Sequence, residues 1–143
     1  MSDPLSYMGG FDVFGNKLVD LLLKLRTEKV RRNSEASQYF EDLSTAMTKV
    51  GEGLHAYKVP RIDGNELHEL IHAFPEKTKD LSQGHDPPVQ ASLDQVASIA
   101  TTLDGWLLMN VQTSKGHREK MLAMVERITG TCDGIAGVLK KST

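Results

Sequence analysis

The sequence predicts an all-α fold: an antiparallel helical bundle of about four helices, with a long or broken first helix. Three observations predict it. Apolar residues recur at alternating steps of three and four over long stretches, the spacing that lines one face of a helix. No comparable stretch shows the apolar–polar alternation of a half-buried strand. The interruptions fall at proline, glycine and capping residues, which stop and start helices for stereochemical reasons.

Residues 1–10 (MSDPLSYMGG) contain Pro4 and the pair Gly9-Gly10 and read as a flexible leader, with 11–143 forming a single bundle domain. Regular spacing begins with Phe11, Phe14, Leu18, Leu22 and Leu25. A polar stretch follows, in which Val30 is the lone apolar residue. Ala36, Phe40, Leu43, Met47, Val50, Leu54 and Tyr57 then form a sustained heptad seam. It stops at Pro60, which cannot continue a helix and restrains Val59 as well.

Asp63 to Glu66 has capping-box spacing and should open the next helix, with Leu67, Leu70, Ile71 and Phe74 inward. Pro75 kinks or ends it, and residues 76–81 extend it by at most a turn or two. Asp86-Pro87 is a good N-cap and first-position pair. The helix behind it carries Val89, Leu93, Val96, Ala100, Leu103 and Leu107. After a break at 113–116, the last helix carries Met121, Val125, Ile128, Cys132, Ile135 and Leu139.

One length does not match. A straight helix over 11–57 would be roughly 70 Å long at about 1.5 Å per residue, about twice its neighbours. Either the chain breaks near Asn33-Ser34 and folds back, or residues 11–32 reach outward with their apolar face against a partner. Asn33 and Ser34 are acceptable caps, which supports the break. The interval of 11 residues from Leu25 to Ala36 keeps the register in phase, which supports continuity.

The 143 residues suffice for one core, and aromatics at 6% make that core mostly aliphatic. The single cysteine, Cys132, excludes an internal disulfide and fits a reducing, cytoplasmic setting. Residues 1–10 carry Asp3 and no base, unlike a secretory signal. The most apolar run, Leu18 to Leu25, includes Asp20 and Lys24 and is far short of a membrane span. Charge is unevenly distributed: residues 17–32 carry +4 and the remainder −6. An acidic body with one basic stretch excludes a general nucleic-acid binder, whose footprint would be broadly basic.

Two motifs carry chemistry. His68-Glu69-Leu70-Ile71-His72 matches H-E-x-x-H and resembles the zincin metallopeptidases. The resemblance implies His68 and His72 as zinc ligands and Glu69 as general base. Against it stand Pro75 where the metzincin extension needs Gly, Glu66 two residues before His68, and an undefined third ligand. His85, Asp86, Asp94 and His117 are the candidates for that ligand. Ordinary histidines at the edge of a helix's apolar face account for the same pattern. No other catalytic-type signal is present, so a non-enzymatic protein without a cofactor is expected, with zinc the alternative.

The second motif is the apolar and basic stretch 11–32. Phe11, Phe14, Leu18, Leu22 and Leu25 with Lys17, Lys24, Arg26, Lys29, Arg31 and Arg32 would suit an anionic membrane or a protein partner. The simpler assignment makes the apolar residues core and the bases their solvated side. Gly130 to Gly137 is glycine-rich but lacks the Lys-Ser/Thr of a phosphate loop, and reads as a mobile or tightly packed C-terminal turn.

Over residues 1–80 the layout resembles the N-terminal helical bundles of cell-death effectors, the fungal HeLo domains and the four-helix domain of mixed-lineage-kinase-like pseudokinases. The features are the leader MSDPLSYMGGFDVFG, the basic KLRTEKVRR, the helix LSTAMTKVGEGLHAYKVP ending at Val-Pro, and LHELIHAF. The resemblance implies a module of cell-death or defence signalling that self-associates and engages membrane peripherally. Its insertion residues would be Phe11, Phe14, Leu18, Leu22 and Leu25, and the six bases would attract lipid. A protein–protein adaptor is the plainer alternative.

Overall fold

A computed structural model describes residues 4–27, 34–55, 61–79, 87–102 and 115–141. Among these, the backbone is helical throughout apart from single turn positions, and no strand occurs. The described residues form six helices in order: α1 (Pro4–Thr27), α2 (Ser34–His55), α3 (Arg61–His72), α4 (Phe74–Lys77), α5 (Pro87–Thr102) and α6 (Lys115–Lys141).

The first expected helix is two. α1 (Pro4–Thr27) and α2 (Ser34–His55) run in opposite directions along α6, so the chain reverses between them as the folded-back alternative requires. Electrostatics favours both ends: Lys24 and Arg26 lie in the last turn of α1 and Glu35 in the first turn of α2, each matched to the helix dipole. α1 starts at Pro4 rather than Phe11, taking the Gly9-Gly10 pair into the helix. α3 starts at Arg61, two residues before the expected cap.

Pro75 acts as its chemistry requires. Its ring nitrogen cannot donate to the carbonyl four residues back, and helix α3 stops at His72. Ala73 still donates to the Glu69 carbonyl at 3.0 Å, and one further turn, α4, follows with Pro75 in its opening positions. The Thr78 hydroxyl closes that turn on the Phe74 carbonyl at 2.7 Å.

The periodic residues form one core. In α2, Ala36, Phe40, Leu43, Met47 and Val50 are buried; in α5, Val89, Leu93, Val96 and Ala100. In α6 all six expected residues, Met121 to Leu139, are buried. Leu103, Leu107 and Tyr57 lie outside the described residues. The broadest contact is α2 against α6, and α1 lies along both α5 and α6. Tyr39, Phe40 and Phe74 meet edge-to-face with centroids 5.3–6.0 Å apart, joining α2 to α4.

Direction follows from the contacts. Ser37 donates to the Ala136 carbonyl at 3.0 Å while Gly51 faces Val125, so α2 and α6 run antiparallel. Asp12 pairs with Arg127 at 2.7 Å, Gly15 meets Ile128 and Leu22 meets Gly134, so α1 and α6 run the same way. That parallel pair departs from the uniformly antiparallel neighbours expected. Glycine lets the pair approach closely: a Cβ at Gly134 would stand 3.0 Å from Leu22 Cδ2, tighter than ordinary van der Waals contact, so Leu22 would have to shift by a few tenths of an ångström. Gly130, Gly134 and Gly137 therefore belong to a continuous helix, not to the expected C-terminal turn.

Candidate functional site

α1 does not reach outward. Phe14, Leu18 and Leu25 are fully buried, and so is Leu21, which the expected spacing omitted. Leu22 packs at the edge of the core. Phe11 lies on α1, but its side chain is outside what the structure describes. Lys29, Arg31 and Arg32 lie outside the described residues. Of the remaining bases, Lys17 and Lys24 are half-buried and Arg26 is exposed.

The outer side of α1 keeps an apolar element. Leu23 is 54% exposed, and exposed Arg26 stands one turn further along, between Leu23 and the edge of the α6 contact. Leu23 and Val13 are the large hydrophobic side chains exposed among the described residues. Leu22 and Arg26 both approach Gly134, so this end of α1 rests against α6 while Leu23 faces solvent.

The histidine pair has the geometry that i, i+4 spacing dictates. The rings of His68 and His72 lie 4.2 Å apart by centroid, tilted at 48°, and both residues are half-buried. Glu69 is exposed and lines a shallow depression with Asp42, Glu66 and Leu70. Among the described residues, no three His, Cys, Asp or Glu side chains converge to hold a metal ion. Of the candidate third ligands, Asp94 is exposed on α5, His85 and Asp86 lie outside the described residues, and the His117 side chain is not described.

A third feature escaped the sequence. Between α2 and α6 runs an open groove of about 360 Å³. Its floor is Gly51, Leu122 and Val125, and Gly130 forms part of its wall. Glycine acts differently on its two sides: at Gly130 a Cβ would meet nothing within 4 Å and would project into open space, while at Gly51 a Cβ would stand 3.3 Å from Val125, where the two helices approach closely. The rim is acidic, with exposed Glu52, Glu126 and Asp133, and His55 stands 3.9 Å from Glu126. Thr129 lines the same groove, with an enclosed hydroxyl oxygen that has no hydrogen-bond partner among the described residues. Gly51 and Gly130 are 79 positions apart, and only their spacing in the folded chain produces the cavity.

Two buried ionisable groups lie away from the groove floor. Burial pushes the Cys132 thiol far above the ordinary thiol range, and the neighbouring Asp133 charge pushes it the same way. A neutral, enclosed thiol is a poor nucleophile. Burial likewise raises the Tyr39 phenol, with Cys132 adding to the shift, and Tyr39 donates to the Leu70 carbonyl at 2.6 Å. Both groups act as core.

No protein-family model matches this chain, and neither does any curated protein or solved structure. The functional reading therefore rests on this chain's own residues. No helix among the described residues is long and apolar enough to cross a membrane.

Proposed function

We propose that this chain is a non-enzymatic helical-bundle module that works by association, with a second copy of itself as partner. One observation carries the reading: the molecule presents two surfaces of opposite chemistry. The outer side of α1 combines exposed Leu23 with the cation of Arg26, while the α2–α6 groove combines an apolar floor with three rim carboxylates. Complementary charge of this kind steers partners together and sets their register. The imbalance of +4 over residues 17–32 and −6 elsewhere extends the same polarity.

Sedimentation equilibrium of the full chain across a concentration series tests the proposal. The expected result is a reversible dimer or larger species that weakens as salt rises. A monomer at every concentration and at low salt would overturn it.

Peripheral membrane engagement, in cell-death or defence signalling, is the second reading. The pairing of exposed Leu23 with Arg26 on one helical side favours it. Each base near an anionic surface contributes about 1 kcal/mol, and Lys17, Lys24, Arg26, Lys29, Arg31 and Arg32 are the available set. Insertion of Phe14, Leu18 and Leu25 would first remove them from the core, at roughly 1.5–3 kcal/mol each. Flotation with anionic vesicles at low salt tests this version, and absence of co-flotation would sink it.

A further inference from the structure

We propose that the α2–α6 groove receives the outer side of α1 from a second copy of this chain, with Leu23 on the apolar floor and Arg26 against the rim acids. The inference rests on the association reading and names the two surfaces that meet.

The groove defines its occupant. Leu122 and Val125 with the two glycines offer an aliphatic-sized hollow, within the roughly 300–1,000 Å³ range of small binding pockets. Glu52, Glu126 and Asp133 set against a single His55 leave the rim in need of cations. The occupant must therefore carry an aliphatic side chain with a base beside it.

Among the described residues, α1 supplies that pair. Leu23 is 54% exposed and is followed one turn later by exposed Arg26. Val13, the other exposed hydrophobic, is followed at the same spacing by Asn16. Beyond Thr27 the sequence continues with Lys29, Arg31 and Arg32, which adds charge of the required sign.

The contact must be made between copies. Leu22 lies against Gly134, which holds α1 on one side of α6, and the exposed Arg26 only reaches the edge of that contact. The groove opens on the side of α6 that faces α2. A Leu23 held in solvent by its own α1–α6 contact cannot fill it. The apolar residues 103–114 (LDGWLLMNVQTS) are the competing occupant within the chain, but they carry Asp104 and no base, leaving the rim acids unmatched. Each copy has one α1 surface and one groove, so two copies that dock reciprocally form a two-fold dimer, and copies that dock head to tail extend into larger species.

A charge-swap experiment on the full chain tests this. Arg26→Glu makes both surfaces acidic; Glu126→Lys with Asp133→Lys makes both basic. All three positions are exposed, and circular dichroism checks that each variant is folded. Sedimentation velocity at low salt should show association weakened about tenfold or more in each variant alone. Mixing the two should restore it, because both contacts in the mixed dimer pair opposite charges. Leu23→Ala should weaken association without altering its salt dependence.

If the wild-type chain associates but neither charge reversal changes it, this inference fails while the association reading stands. If the wild-type chain stays monomeric, both fail. A monomer in which Gly130→Leu shifts the Trp106 emission would assign the groove to residues 103–114 instead, and would also overturn the inference.

Discussion

Leu18→Ala and Leu23→Ala remove the same three carbons from the same helix, five residues apart, and should have very different effects. Leu18 is fully enclosed by the core that α5 and α6 build with α1. At about 0.8 kcal/mol per buried carbon, the lost transfer energy is about 2.4 kcal/mol. The cavity left behind brings the expected cost to about 2–5 kcal/mol. Leu23 is 54% exposed, so its side chain is already largely hydrated. Its truncation should stay within about 0.5 kcal/mol of zero. Urea denaturation followed by helical ellipticity measures both. With a slope of about 1–3 kcal/mol per molar, the Leu18 variant should lose roughly 1 M or more in midpoint. The Leu23 variant should barely move. The comparison belongs at low protein concentration and high salt, because self-association would add a concentration-dependent term to stability. Equal losses, or a Leu18→Ala cost near that of a surface change, would refute the docked position of α1. The outward-reaching helix would then be the correct description.

Other predictions follow from burial and contact. Gly137→Ala adds a Cβ where nothing lies within 4 Å, so it should stabilise by about 1 kcal/mol and raise the thermal midpoint. In Gly15→Ala the new Cβ would stand 3.0 Å from Ile128 Cγ1, and overpacking of about 1–3 kcal/mol should outweigh that gain and lower the midpoint. The raised Cys132 thiol should resist thiol reagents in the native state and react once urea unfolds the chain; fast native reaction would contradict its burial. Above the ordinary thiol pKa of about 8.5 the unfolded chain loses this proton and the native chain keeps it, so stability should fall with pH by up to about 1.4 kcal/mol per unit. Cys132→Ala should flatten that decline, which is absent below the ordinary thiol range. Protein purified without a polyhistidine tag should contain no stoichiometric zinc; one zinc per chain, lost in His68→Ala, would establish a metal centre at the histidine pair.

The residues that were legible in the sequence are those whose burial follows from local spacing. The seams of α2, α5 and α6 repeat at three and four, and their described members are core. Pro75 stops α3 because a missing N–H and a fixed ring act within one turn. The all-α class follows from the same local rule. Periodicity says which face of a helix is apolar, but it is silent on what covers that face. Hence residues 11–32 allowed two placements, and for 11–27 only the contacts of α1 with α5 and α6 decided between them. The same contacts buried Leu21, made α1 and α6 parallel through Gly15 and Gly134, and left Leu23 outside. The groove was illegible for a related reason. Its lining includes Gly51 and Gly130, residues without side chains whose effect depends on a partner helix 79 positions away. What this sequence determined alone was the period and the breaks; what faces what, and so where a partner can dock, was decided by tertiary packing.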